Sequence, residues 1–291
     1  MQAANADLGT MTALPGIAFL GGGNMAEAMI AGLQGSARIS VADPSEARRI
    51  LLSERYTVRC HADVPTLLAA VDAPPLWVLA TKPQILESAL QPLQASLAPD
   101  QLLLSIAAGT RIASIRQWTG RPRQPVVRAM PNTPALVGAG VTGLYAADGV
   151  TETQRKQAGE ILAAVGSICW LDSEEQLDAV TAISGSGPAY YFLFTEALVE
   201  AAVALGLDPQ TAQKLATDTA AGAARLMQAS DDEIAELRRR VTSPGGTTEQ
   251  AIASFNADGL REIVLRAARA AAGRAAELGA TTPPSTQPPN Q

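Results

Sequence analysis

The sequence predicts two architectures in succession: an α/β half built on a mostly parallel sheet with helices on both faces, then an all-helical half. Three observations carry this. Short strand-forming runs alternate with stretches of helical period up to about residue 172. A turn of three glycines, Gly21 to Gly23, joins the first strand run to the first helical run. Beyond the acidic stretch "DSEEQ", Asp172 to Gln176, strand signals cease and Ala-rich helical sequence takes over.

The strand runs come in order as "GIAFL" (16–20), "RISVAD" (38–43), "YTVRC" (56–60), "PLWVLAT" (75–81), "QLLLSIAA" (101–108) and "PVVRAMP" (125–131). Helical stretches such as "NMAEAMIAGL" and "PQILESALQPLQASL" lie between them. Two further strands, "GVTGLYAA" (140–147) and "SICWLD" (167–172), flank a helix over 151–165. The helical half reads as 178–207, 208–228, 230–241 and 247–279. Asp208 before Pro209 is an N-cap followed by Pro at the first helical position. The domains expected are 15–172, 173–279 and a tail, 280–291, whose Pro-rich composition predicts disorder.

Composition excludes several functions. The chain has 291 residues, 47% of them hydrophobic and 17% charged, enough apolar material for two cores, and its net charge of -6 argues against neutralising a nucleic-acid backbone. No uncharged apolar run reaches the roughly 20 residues of a membrane span, and the start lacks the pattern of a secretion signal, so a cytoplasmic protein is expected. Cys60 and Cys169 are too few and too far apart for a disulfide framework and read as buried thiols; no metal-ligand spacing is present.

Gly21, Gly23 and Ala26 fit G-x-G-x-x-A between a strand and a helix. The first glycine allows the tight turn, the second lets backbone approach a pyrophosphate, and the helix N-terminus faces its charge. This is a dinucleotide-binding signature in a Rossmann-type domain. Asp43, at the end of the second strand, stands where a carboxylate bonds the ribose hydroxyls of NAD, while Ser45, Arg48 and Arg49 follow as candidates for the 2′-phosphate of NADP. On the ribose reading, Asp43→Ser should weaken NADH and improve NADPH use. In such a sheet, ligands sit beyond the carboxyl ends of the strands. There the loops "ATKPQ" with Ala80, Lys82 and Pro83, "SIAAG" with Ala107, and "MPNTPALVGAG" with Asn132 and Thr133 are rich in small and uncharged groups. Lys82 reads as a ligand or a structural lysine, and Asn132 as a carboxamide donor or a loop organiser.

The single histidine, His61, reads as structural, so reduction of a ketone has no obvious proton donor. A cyclic imine enters already protonated and needs only positioning and one hydrogen bond to nitrogen. In "RVTSPGGTTEQAI", Thr247 and Gln250 fit a capping box, and the N–H groups of Gly245, Gly246 and Thr247 an anion nest for a carboxylate; an ordinary turn is the alternative. The cluster "SGSGPAYY", Ser184 to Tyr191, interrupts a helix.

"FLGGGNMAEAMI", "ATKPQ", "SIAAG", "RAMPNTPALVGAG", "AISGSGPAYYF" and "VTSPGGTTEQAI", in this order, resemble the pyrroline-5-carboxylate reductase family from Gly16 to about Gly279. The resemblance implies an α/β Rossmann-type N-terminal domain followed by an all-α C-terminal dimerisation domain. It also implies hydride transfer from NADPH or NADH to C5 of 1-pyrroline-5-carboxylate, giving L-proline in the last step of its biosynthesis. Gly21, Gly23, Asn24 and Met25 then match the pyrophosphate loop, and Ala80, Lys82 and Pro83 the nicotinamide side. Ser243, Gly245, Gly246 and Thr247 match the carboxylate loop, and Thr248 the threonine that meets the ring nitrogen, at a site built by an intertwined homodimer. Two alternatives stand beside this: another hydride-transfer enzyme of the hydroxyacid-dehydrogenase type, and a non-catalytic dinucleotide-sensing dimer.

The stretch "PAYYFLFTEALVEAAVALGL" is apolar around most of its circumference, so a lone helical half would expose a large apolar surface. The chain is therefore predicted to be an obligate dimer through residues 173–279. Light scattering that found a stable, active monomer at micromolar concentration would overturn this.

Overall fold

The computed structural model describes residues 14–70 and 74–280. It divides into two compact units, one reaching Gly185 and resuming at Ala271, the other Ser186–Ala270. The first unit strings together β1 (Ile17–Leu20), α1 (Asn24–Gly32), β2 (Ile39–Ala42), α2 (Glu46–Arg55), β3 (Val58–His61), α3 (Val64–Ala70), β4 (Leu76–Leu79), α4 (Pro83–Leu90), β5 (Leu102–Ser105) and α5 (Ile112–Trp118). It continues with β6 (Val126–Met130), β7 (Gly140–Ala146), α6 (Glu152–Ala163), β8 (Gly166–Trp170) and α7 (Gln176–Val180).

One sheet takes all eight strands in the order β3-β2-β1-β4-β5-β6-β7-β8. Ile17 of β1 lies opposite Ile39 on one side and Leu76 on the other, both in parallel register. The central strands are buried on both faces, which is why they read as unbroken apolar runs. Phe19, Val41, Val78 and Leu104 point to one core with Met29 and Ile30 of α1 and Ile161 of α6. Leu20, Trp77, Leu79 and Leu103 point to the other with Leu86 of α4 and Ile115 and Trp118 of α5. Strand order reverses between β1 and β4, so the crevice at their carboxyl ends is the place for a ligand.

β7 runs antiparallel to β6, the one departure from parallel pairing among the described strands. The connection carries a 3₁₀ turn, Thr133–Val137, ended by Gly138 at a φ of 69°. On the edge strand β8, Arg155 of α6 lies 3.9 Å above the Trp170 ring. Cys169 on this strand is exposed and Cys60 only half-buried, a correction to the reading of both as buried thiols; alternation along an edge strand sends every second side chain to solvent.

The acidic turn does not separate from the sheet. Arg128 of β6 is 5% exposed, and Glu174 Oε1 pairs with its Nη1 at 2.5 Å while accepting the Ile112 N–H at 2.8 Å. Arg111 Nη2 meets Asp178 Oδ2 at 2.6 Å. Burial pushes the Arg128 guanidinium below its usual range, and Glu174 offsets that in part. These bonds keep residues 173–185 with the sheet unit, so the compact units divide later than the composition change at 172/173.

The second unit contains α8 (Gly187–Ala204), α9 (Pro209–Ala229), α10 (Ile234–Arg240), α11 (Thr247–Ala257) and the start of α12 (Leu260–Ala280). Asp208 caps α9 as the sequence predicts, accepting from the N–H groups of Gln210 and Thr211 at 3.1 Å. The single helix read over 247–279 is broken at Gly259, whose φ of 72° ends α11 and releases α12. In this single chain α8 leaves Tyr191, Phe192 and Leu193 more than 60% exposed. No helix among the described residues is long and apolar enough to cross a membrane. Of the expected tail, Ala280 closes α12, and 281–291 lie outside the described residues.

Removing one member of a buried ion pair costs about 3–5 kcal/mol, because the other charge stays behind. Glu174→Ala should destabilise the protein by that order in equilibrium denaturation. A loss below about 1 kcal/mol would mean that Arg128 finds water instead.

Candidate functional site

The glycine turn is held by backbone contacts that only glycine permits. Gly21 has a φ of 99°, and a Cβ there would lie 2.9 Å from the Ala80 carbonyl oxygen and 3.1 Å from Thr81 Cγ2. The Gly21 N–H donates to Ala42 at 2.9 Å, and the Ala80 N–H to Leu20 at 2.8 Å, so the turns after β1 and β4 are pressed together. Gly23 is different: nothing lies within 4 Å of its Cβ position, and it caps α1 with no side-chain bond. The first N–H groups of α1, from Asn24 and Met25, have no acceptor within the helix. A turn open on the Gly23 side, with a bare helix end behind it, fits a pyrophosphate.

The Asp43 carboxylate points into this turn. Oδ2 accepts the Gly22 N–H at 2.7 Å and Oδ1 accepts the Ser45 N–H at 2.8 Å. Arg48 donates Nε to the Gly22 carbonyl at 2.8 Å and pairs through Nη2 with Glu27 of α1 at 2.8 Å. Arg49 donates to the carbonyls of Asp43 and Pro44, both at 2.8 Å.

Among the loops that follow the strands, Lys82 is exposed and caps α4 without a side-chain bond, ahead of Pro83 at the first helical position. Ala107 is buried after β5. Asn132 works inside the fold: Oδ1 accepts the Val141 N–H at 2.9 Å and Nδ2 donates to the Ser184 carbonyl at 3.1 Å, the bonds of a loop organiser. Ser184 belongs to a π-helical turn, Thr181–Gly185, and Ser186 separates that turn from α8, so the helix is interrupted within "SGSGPAYY" as the sequence predicts. Sequence reasoning passes over Thr81, whose methyl group borders Gly21 and whose buried Oγ1 has no partner among the described residues; its place between Ala80 and Lys82 is the available signal.

The loop Ser243–Thr248 belongs to the second unit. Gly245 has a φ of 72°, which favours glycine. Two expectations are corrected here. Thr247 is not an N-cap: Gly246 caps α11, with no side-chain bond, so Thr247 takes the first helical position and the capping box with Gln250 does not form. The nest is partly filled by the chain itself, since the Gly245 N–H donates to Glu249 Oε2 at 2.7 Å and the Gly246 N–H to Ser243 at 3.0 Å. The N–H groups left without an acceptor within the helix are those of its first turn, Thr247 to Glu249. Thr248 is half-buried in that turn, and Ser243 is exposed beside it.

His61 ends β3, where burial and Arg59 push its pKa below the ordinary value. No group of three or more potential metal ligands occurs among the described residues.

A profile for pyrroline-5-carboxylate reductase dimerisation matches residues 174–278, and one for NADP oxidoreductase, coenzyme F420-dependent, matches residues 16–109. The pyrroline-5-carboxylate reductase of Pseudomonas aeruginosa is 48% identical over 268 residues, covering 91% of this chain and 97% of its own. The chain belongs to the pyrroline-5-carboxylate reductase family. The solved structure of a pyrroline-5-carboxylate reductase from Coxiella burnetii superposes with a TM-score of 0.85 at 41% identity, over 91% of this chain and 98% of that one. A Plasmodium falciparum pyrroline carboxylate reductase with NADP bound matches at a TM-score of 0.77 and 28% identity, over 91% of this chain and 98% of its own.

The family's glycine turn offers a contrast between neighbouring residues. Gly23→Ala has room in the folded chain and should leave the Tm nearly unchanged, yet weaken dinucleotide binding by about tenfold or more in a fluorescence titration. Gly21→Ala forces a methyl onto a carbonyl at positive φ and should lower the Tm itself. Equal Tm values for the two variants would contradict this division.

Proposed function

We propose that this chain reduces 1-pyrroline-5-carboxylate to L-proline with NADPH or NADH, the last step of proline biosynthesis, as a homodimer assembled through the helical residues 173–279. The observation that carries this reading is 48% identity over 91% of the chain to a protein named for that reaction. The glycine turn is compatible with it on independent physical grounds.

When bound, the reduced nicotinamide supplies a hydride, which C5 of the protonated imine accepts. The chain's own residues bind and orient. Gly23, Asn24 and Met25 hold the pyrophosphate through backbone N–H groups in the turn that Gly21 shapes, with Ala80, Lys82, Pro83 and Ala107 lining the nicotinamide side. The first-turn N–H groups of Thr247 and Thr248 take the substrate carboxylate, with Ser243, Gly245 and Gly246 shaping the loop. Because the imine nitrogen arrives carrying its proton, no side chain has to deliver one, and His61 has no part in the step. The Thr248 hydroxyl accepts a hydrogen bond from the iminium N–H and holds the ring in place. The reaction is assigned to the cytoplasm, a reading supported by the lack, among the described residues, of a helix long and apolar enough to cross a membrane.

Following NADPH and NADH oxidation with and without 1-pyrroline-5-carboxylate tests the reading directly. Oxidation that needs the imine supports it; turnover with a 2-oxo acid instead favours a hydroxyacid dehydrogenase, and binding without turnover a sensor. Within the same assay Thr248→Val keeps shape and removes the hydroxyl. A hydrogen bond to a charged group is worth about 1.5–3 kcal/mol, so kcat/KM for the imine should fall roughly 10- to 100-fold with cofactor affinity nearly unchanged. Wild-type efficiency in the valine variant would reduce Thr248 to a helix-start residue.

A further inference from the structure

We infer that Asp43 and Arg48 are positioning residues that clamp the Gly22 peptide, so the Asp43 carboxylate supports NADPH and NADH binding alike instead of selecting between them. The inference rests on the dinucleotide reading above and concerns how the chain prepares its pyrophosphate turn.

Gly22 is buried, and both polar groups of its backbone are taken by side chains from beyond β2. Its N–H goes to Asp43 Oδ2 at 2.7 Å and its carbonyl to Arg48 Nε at 2.8 Å. The ring of bonds closes on the helix that the turn feeds: Arg48 Nη2 meets Glu27 Oε2 at 2.8 Å, and the other Glu27 oxygen accepts from Arg55 at 3.1 Å and Tyr56 at 3.3 Å. Space at Gly22 is tight as well. A Cβ there would meet Leu52 Cδ1 at 2.8 Å, Val41 Cγ1 at 3.3 Å and Asp43 Oδ2 at 3.4 Å. The second Asp43 oxygen is engaged at 2.8 Å by the Ser45 N–H at the start of α2.

Each carboxylate oxygen therefore carries a charge-assisted bond to backbone, one into the β1–α1 turn and one into the β2–α2 turn. A carboxylate used this way is needed whatever group sits on the adenosine ribose. Asparagine cannot replace it, because its amide presents one acceptor and turns an NH2 toward a backbone N–H. This reverses the expectation from the ribose reading, in which removing the charge relieves repulsion of a 2′-phosphate and helps NADPH.

The test measures Kd for NADPH and for NADH by fluorescence, and steady-state kinetics with both, for wild type, Asp43→Asn and Arg48→Lys. Asp43→Asn should raise both Kd values by roughly tenfold, with their ratio held within about twofold. Both cofactor KM values should rise, while kcat at saturating cofactor stays near wild type. A general structural defect would instead lower kcat through a smaller active fraction. Arg48→Lys should give the same pattern, and it decides the matter should Asp43→Asn fail to fold. Tighter NADPH with weaker NADH in Asp43→Asn would make Asp43 a ribose ligand and overturn the inference. Unchanged Kd values in the folded variants would overturn it too. Failure of the wild-type protein to bind either dinucleotide would instead defeat the functional reading.

Discussion

A positive charge lies almost wholly out of water on β6, and much of the chain's course after β8 follows from having to neutralise it. An unpaired guanidinium in the Arg128 position would cost several kcal/mol. Glu174 answers it and at the same time accepts the first N–H of α5, so a strand, a helix start and the acidic turn share one oxygen atom. With Arg111 and Asp178 paired alongside, α7 is fixed against β7, where Gly143 lets Val180 approach so closely that a Cβ would lie 2.8 Å from its methyl groups. Asn132 then ties the end of the β6–β7 connection to the π-helical turn.

The cofactor side of the molecule is made largely of backbone. Gly21 against Ala80, the open Gly23 and the bare end of α1 are all consequences of missing side chains, and Asp43, Arg48 and Arg49 close by are engaged on the protein itself. A turn of this kind is complementary to a diphosphate in shape and in its unpaired N–H groups.

Most of the sheet was legible in the sequence because its signals are local. Central parallel strands are continuous apolar runs, and the glycine turn is a short motif between a strand and a helix, so β1 to β8 fall where residue pattern puts them. What the sequence hid depends on partners distant along the chain or on geometry with no periodicity of its own. The direction of β7 leaves no trace in "GVTGLYAA". Asp43 is one carboxylate in either role, and its bond to the Gly22 N–H, 21 residues away, has no signal in the sequence. The filled N–H at Gly245 turns on an acid four residues later, a spacing that reads equally well as a solvated helix face. The pairing of Arg128 with Glu174 spans 46 residues.

The π-helical turn Thr181–Gly185 also changes what its carbonyls meet. A turn closed one residue wider strains the regular ladder of backbone bonds, and side chains of the sheet unit bond to the carbonyls around it. Thr181 Oγ1 donates to the Leu177 carbonyl at 2.7 Å, Ser184 Oγ to the Val180 carbonyl at 3.0 Å, and Asn132 Nδ2 to the Ser184 carbonyl at 3.1 Å. The wide turn is thus stitched by two hydroxyls and an amide, polar side chains standing in for regular helix geometry.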